Sequence, residues 1–321
     1  MGRYIVRRLL LMIPTLFIVS LLVFFLMRIV PGDAVDAQLG QAAAAGGGVT
    51  PELEAQIRAE LGLDRPAHIQ YFVWVGNALQ GDLGNSLQFK NRTVWSELRV
   101  AIPVSLEIAI MALIISLMIA IPFGVLSAIY QDSWIDYLSR IISVGGLSIP
   151  DFVVATVIIV MPAIWWGWLP PLGYVSFFDD PGANLVQFIL PSAAIGLRFS
   201  STTLRMVRSS MLEVLRADYV RTARAKGLTS QVVIVRHALK NAMIAPITLI
   251  GTSIGFLIGG TFIVETIFAL PGVGRLTLDS ISNRDYNQLQ GNVLFLSTVF
   301  VMVNLVTDLT YAWFDPRIRY S

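Results

Sequence analysis

Residues 102–130 read IPVSLEIAIMALIISLMIAIPFGVLSAIY, from Ile102 to Tyr130. Glu107 carries the only charge in this run. At ~1.5 Å of rise per residue, about 20 apolar residues in a helix cross the ~30 Å hydrocarbon layer of a bilayer, so a stretch of this length reads as a membrane span. Working outward, five further runs meet the same criterion: Leu9 to Val30, Ile141 to Trp168, Val186 to Val207, Ile244 to Ala269 and Val293 to Phe314. Pro14, Pro122 and Pro162 fall inside three of the runs. Such prolines are tolerated where neighbouring helices re-satisfy the freed carbonyls, which argues for a packed bundle.

Composition agrees with this reading. Of 321 residues, 55% are hydrophobic and 14% charged, against roughly 25% charged in soluble domains. The net charge of +2 is spread by loop rather than gathered with aromatic platforms, so nucleic acid is not expected as a partner. The absence of cysteine removes disulfides, thiolate ligands and cysteine catalysis, and His68 and His237 lie far apart; no metal site is expected. Arg3, Arg7 and Arg8 precede the first run as they would a signal peptide, but the run exceeds the ~7–15 residues of a typical h-region, and a retained anchor is expected.

Short basic loops stay cytoplasmic. An N-terminus inside places Arg3, Arg7, Arg8, Arg140, Arg317, Arg319 and the eight basic residues from Arg205 to Lys240 on that side. The opposite short loops, 169–185 and 270–292, then carry only Arg275 and Arg284, and six spans return the C-terminus to the cytoplasm. Trp165, Trp166, Trp168 and Tyr174 gather at the outer end of the third span, as an interfacial aromatic belt.

The fold class expected is an all-α polytopic membrane protein with six transmembrane helices. Its divisions are 1–30, the N-terminus and first span; 31–100, an extracytoplasmic segment; and 101–321, a core of five spans with a cytoplasmic loop over 208–245. Within 31–100, residues 41–48 form a low-complexity Ala/Gly insert. Thr50-Pro51-Glu52 then reads as a capped start, and Gly62 as the stop, of a short helix over 51–61.

The cytoplasmic loop reads as helix, break, helix. The stretch from Glu213 to Lys226 is a strong helix former, and Gly227 supplies a residue that accepts a left-handed stop. Thr229 or Ser230 caps the next helix, which carries Val232 to Val235 and His237 and ends before Pro246.

This loop resembles the cytoplasmic coupling loop of ABC importer permeases. The matching residues are Asp218-Tyr219, Ala223, Ala225-Lys226-Gly227-Leu228, His237, Leu239 and Asn241-Ala242. Arg221 stands where the general motif has Glu, and Lys240 follows Leu239, departures that look like the variant of the dipeptide, oligopeptide and nickel importers. The likeness continues in Pro31-Gly32-Asp33, Leu61 to Pro66 with Gln70-Tyr71, Gly81 to Gly84 with Ser86, Glu265 to Arg275, Arg284-Asp285-Tyr286, Asn304-Leu305 with Asp308, and Asp315-Pro316-Arg317.

The resemblance implies the first of two homologous permeases in a bacterial plasma membrane, paired with two cytoplasmic ABC ATPases and fed by an extracytoplasmic solute-binding protein. Tyr219, Ala223, Ala225, Lys226, Gly227 and Leu228 would dock on an ATPase. The chain has no Gly-x-x-x-x-Gly-Lys-Ser/Thr loop, so ATP and Mg would be bound by the partner subunits and this chain would be no enzyme. Among ionisable residues in the spans, Glu107 and Asp308 read as interhelical bonds, whereas Arg198 and Glu265, on successive spans, read as pathway residues and as a candidate pair. Peptides are the default cargo of this importer class, with nickel chelates, glutathione and oligosaccharides as alternatives. An ion-coupled carrier and a membrane enzyme are the competing classes, but no inverted repeat or catalytic constellation marks either.

Overall fold

The computed structural model describes residues 2–29, 35, 38–40, 43, 49–60, 62–88, 92–171 and 173–314. The readings of Pro31-Gly32-Asp33, of the Ala/Gly insert apart from Ala43, of Leu61 and of Asp315-Pro316-Arg317 lie outside these residues, as does the side chain of Asp308. Among the described residues there is no strand, only an isolated bridge between Asn85 and Thr93.

The helices run in chain order as α1 (Gly2–Ile29), α2 (Pro51–Glu60), α3 (Ala67–Leu79), α4 (Val94–Ile129), α5 (Trp134–Ser148), α6 (Asp151–Trp166), α7 (Pro181–Leu215) and α8 (Asp218–Ala225). They continue as α9 (Ser230–Ala242, with a π turn over Val233–Leu239), α10 (Ile244–Gly259), α11 (Phe262–Ile267), α12 (Val273–Ser282) and α13 (Tyr286–Phe314). Helix α2 begins as its sequence dictates: Thr50 Oγ1 accepts from Leu53 N at 3.2 Å, and Gly62 sits at φ +65° beyond its end.

By length and apolarity three described helices cross a membrane alone: Val6–Arg28, Val94–Ile129 and Tyr286–Thr307. Two bent pairs bring the number to five. The expected third span, Ile141 to Trp168, is corrected: α5 and α6 meet at 102° around Ile149-Pro150. Proline lacks an N–H and pushes the preceding residue out of the helical region, and Ile149 accordingly sits at ψ 123°. The expected fifth span, Ile244 to Ala269, likewise ends at Gly259, where Gly259-Gly260 forfeits about 1 kcal/mol of helix propensity per residue. The fourth is longer than expected. Helix α7 starts at Pro181, with Asp180 Oδ1 accepting from Gly182 N and Ala183 N at 3.0 Å each, and it is too polar to meet the apolar criterion by itself.

Helices α4 and α7 form the spine. Gly196 lies so close to α4 that a Cβ there would stand 2.8 Å from Ala112 O, and one on Gly124 would stand 2.8 Å from Val207 Cβ. Small residues at such a seam let two backbones approach, the packing that substitutes for hydrophobic drive in lipid. Around the seam Val104, Ile108, Ala112, Phe188, Ala194 and Ile195 gather with Ala155 of α6 and with Leu257, Val264 and Leu270 from the later segments. At one end Ala128, Val207 and Met211 pack against Ala238 and Ala242 of α9; at the other Val94, Leu98 and Ala101 pack against Val273. Helix α1 is attached through Tyr71, whose hydroxyl lies 2.8 Å from Ser20 Oγ and whose ring meets Phe24 edge on. Trp165, Trp166 and Trp168 are exposed, as a belt requires, whereas Tyr174 turns away from them to pack edge on against Phe188.

Candidate functional site

The loop between α7 and α10 is a knuckle built by burying three aliphatic groups. Val220 and Ala223 of α8 close on Val233 of α9, with Val214 against them. The helix expected from Glu213 to Lys226 is corrected here, because it breaks between Leu215 and Asp218. On one continuous helix Val214 and Val220 would point about 120° apart, at ~100° per residue; the break lets both enter the same cluster.

At the tip Gly227 adopts φ +78°, and its N–H donates to Arg224 O at 2.9 Å. The next helix starts from Thr229 in extended backbone, without a side-chain cap. Tyr219 closes the knuckle from outside, its hydroxyl accepting from Asn241 Nδ2 at 2.9 Å. Of the six residues expected at the docking surface, Tyr219, Ala225, Lys226, Gly227 and Leu228 are exposed, and Ala223 is turned inward. Arg221, Arg224 and Lys226 are exposed on either side of this turn and give it positive charge.

Arg198 and Glu265 are not brought together. Arg198 of α7 donates from Nη1 to both oxygens of Asp151, at 3.1 and 3.2 Å, with its side chain 56% exposed. Glu265 of α11 has no exposed surface. Its Oε1 accepts from Ser105 Oγ and Thr261 Oγ1 at 2.6 Å each, and its Oε2 accepts from Arg275 N at 2.9 Å, in the first turn of α12. Ser105 Oγ in turn accepts from Val273 N at 2.8 Å. The carboxylate therefore fastens the segment after α10 to α4, and favours the N-terminus of α12 by charge as well.

Sequence reasoning missed Asp151, which Pro150 places at the start of α6, and also Asp136, whose i,i+4 spacing to Arg140 was a readable signal.

The sequence from 120 to 320 matches the family described as binding-protein-dependent transport system inner membrane component, and 1–109 match that family's N-terminal membrane component. The chain belongs to this permease family. Its members are membrane components of ABC importers, not catalytic enzymes, and this permease shares 38% identity with the glutathione transport system permease protein of Escherichia coli (strain K12), over the whole of both chains. The same identity over both full lengths relates the permease to a protein of Brucella abortus (strain 2308) that is named, provisionally, a peptide transport system permease. Two solved structures share its fold at 13% identity: an amino acid ABC transporter, with a TM-score of 0.52 over 70% of this permease and 94% of that chain, and the inward-facing MetNI methionine ABC transporter, with 0.55 over 68% and 96%.

Proposed function

We propose that this permease forms half of the translocation pathway of an ATP-driven, binding-protein-dependent importer of small peptides. Its partners are a second, homologous permease, two cytoplasmic ABC ATPases that bind ATP and Mg, and an extracytoplasmic solute-binding protein. The chain spans a bacterial inner membrane six times, with α7 and the bent pairs counted as spans and both termini cytoplasmic. The knuckle carries this reading: an exposed, basic elbow at the end of the spine presents Tyr219, Ala225, Lys226, Gly227 and Leu228, while buried Ala223 lets α8 lie close on α9. Such an elbow is a handle by which a separate motor moves attached spans as rigid bodies.

The permease, co-expressed with the subunits that co-purify with it and reconstituted in vesicles, is expected to take up labelled di- and oligopeptides only with ATP. Uptake that survives without ATP but collapses with the ion gradient would establish an ion-coupled carrier instead. Glutathione, a tripeptide, is the second cargo to assay because the Escherichia coli relative is named for its transport; nickel chelates and oligosaccharides complete the panel.

Arg198 is assigned to the pathway as the group that greets a peptide's terminal carboxylate. Its pair with Asp151 is more than half exposed on the arginine side; in a water-filled pathway such a pair adds only about 0–1 kcal/mol to stability, and the guanidinium can exchange one carboxylate for another. Arg198→Ala is expected to leave the thermal midpoint in detergent nearly unchanged and to raise the KM for peptide by about tenfold, the loss of roughly 1.4 kcal/mol of binding. An unchanged KM would remove Arg198 from the pathway.

A further inference from the structure

Asp136, at the start of α5, has no exposed surface, yet neither the elbow tip nor the pathway uses it. Its Oδ1 accepts from Ser127 Oγ at 2.5 Å, from Arg208 Nε at 2.7 Å and from Arg140 Nε at 3.3 Å. Its Oδ2 accepts from Arg140 Nη2 at 2.6 Å, from Arg208 Nη2 at 2.9 Å and from Asp132 N at 3.0 Å. A carboxylate taken out of water is tolerated only when paired and fully bonded, as this one is. The donors come from α4, from the turn after it, from α5 and from α7, so one side chain pins all four.

The pin sits at the root of the elbow. Arg208 lies on the last two turns of α7, and Arg216, which ends that helix, reaches Gln131 Oε1 in the same turn at 3.4 Å. Beside it, Ala128 and Val207 bury against Ala238 and Ala242 of α9. Beyond it, α7 carries Arg198, and α5 leads through the 102° corner to Asp151. Arg198 therefore rides on a helix that Asp136 ties down, whereas Asp151 lies on α6, across the corner from α5.

We propose that Asp136 is a positioning residue for coupling: its bonds to Arg208 and Arg140 make the elbow root, α4, α5 and α7 one lever, so that displacement of the elbow shifts Arg198 relative to Asp151. An arginine fork on a carboxylate fixes orientation as well as distance, which apolar packing at the same place would not do. The elbow joins this root across the break between Leu215 and Asp218 through Ala238 and Ala242 of α9, which pack on Ala128 and Val207. The proposal rests on the reading of the elbow as the ATPase contact.

The test uses the whole importer in vesicles. Because this chain contains no cysteine, two introduced thiols are its only labelling sites, once accessible thiols of the partner subunits are blocked or replaced. Trp134, 73% exposed on α5, and Arg221, with its side chain 76% exposed on α8, are suitable positions. In the parent, the distance between these labels is expected to be narrow and the same with and without nucleotide. Asp136→Asn is expected to retain the ATPase subunits and basal hydrolysis, to broaden that distance, and to lower peptide imported per ATP by about tenfold, within the range of ordinary coupling energies. Asp136→Glu should recover part of the loss. Arg140→Gln, which leaves the Arg208 fork in place, should give a smaller loss in the same direction, and it decides the matter if Asp136→Asn does not assemble. Parent-like coupling and a parent-like distance in the variants that assemble would overturn the lever. A parent importer without ATP-driven uptake would overturn the elbow reading instead, so the two failures are distinguishable.

Discussion

Gly227→Val is expected to leave the permease inserted in the membrane and to lower sharply the ATP hydrolysis that substrate-loaded binding protein stimulates. The reason is conformational rather than steric. A Cβ at this position meets nothing within 4 Å, but φ is +78°, where a β-branched residue costs about 1–3 kcal/mol. The free elbow escapes that strain by relaxing, so Ala225, Lys226 and Leu228 no longer present the same surface, and restoring the shape on docking costs that energy, about 5- to 150-fold in association. Stimulated hydrolysis and peptide uptake should both fall at least about fivefold. Gly227→Asn should retain the most activity of the substitutions, because Asn tolerates the left-handed region, with Gly227→Ala between it and valine. Side-chain bulk at the interface would order the variants differently, with alanine the mildest, and that order would refute the conformational account.

The sequence made α4 legible because a continuous apolar run needs no partner to be recognised. Residues 102–129 lie within α4, and the expected stop at Gly227 is a local property of one backbone position. The breaks were harder to read. Hydropathy sums over a window and is blind to where a helix bends. The helices continue through Pro14, Pro103, Pro122, Pro162 and Pro191, so proline alone did not mark Ile149-Pro150. What distinguishes that site is the run Ser148-Ile149-Pro150-Asp151, in which a carboxylate directly after proline favours a fresh helix start.

These breaks are where the candidate site comes from. The corner at Pro150 delivers Asp151 to Arg198, 47 residues away. The interruption after Gly259 frees Thr261 and Glu265 to meet Ser105, 160 residues from Glu265. Pairings at such separations leave no periodic trace in the chain, so the sequence offered only the charge of Glu265 in an apolar run and not its bonds to Ser105 and Thr261. The break before α8 is also tertiary: nothing between Glu213 and Lys226 opposes a helix, yet Val214 and Val220 bury together only if the helix stops.

Glu265 separates a positioning role from a pathway role with one pair of substitutions. Glu265→Ala strands the hydroxyls of Ser105 and Thr261 and the N–H of Arg275 in a site without solvent. A buried donor left unpaired costs about 1–3 kcal/mol, and the hydroxyls can partly re-aim, so the whole loss should be about 3 kcal/mol. Glu265→Gln preserves the volume and one acceptor but turns an amide N–H2 toward the N–H of Arg275, donor against donor, and should recover only part of that loss. The glycines around the carboxylate leave no room for a substitute to swing aside, since a Cβ on Gly274 would stand 2.9 Å from Oε2 and one on Gly272 would stand 2.5 Å from Oε1. Both variants are therefore expected to lower the thermal midpoint and the maximal uptake rate together, without altering the KM for peptide. A pathway residue would give the reverse, a changed KM at unchanged stability, as Arg198→Ala is expected to do. A normal midpoint in Glu265→Gln with a raised KM would return Glu265 to the pathway and leave the anchoring of α12 to α4 to Ser105 and Val273 alone.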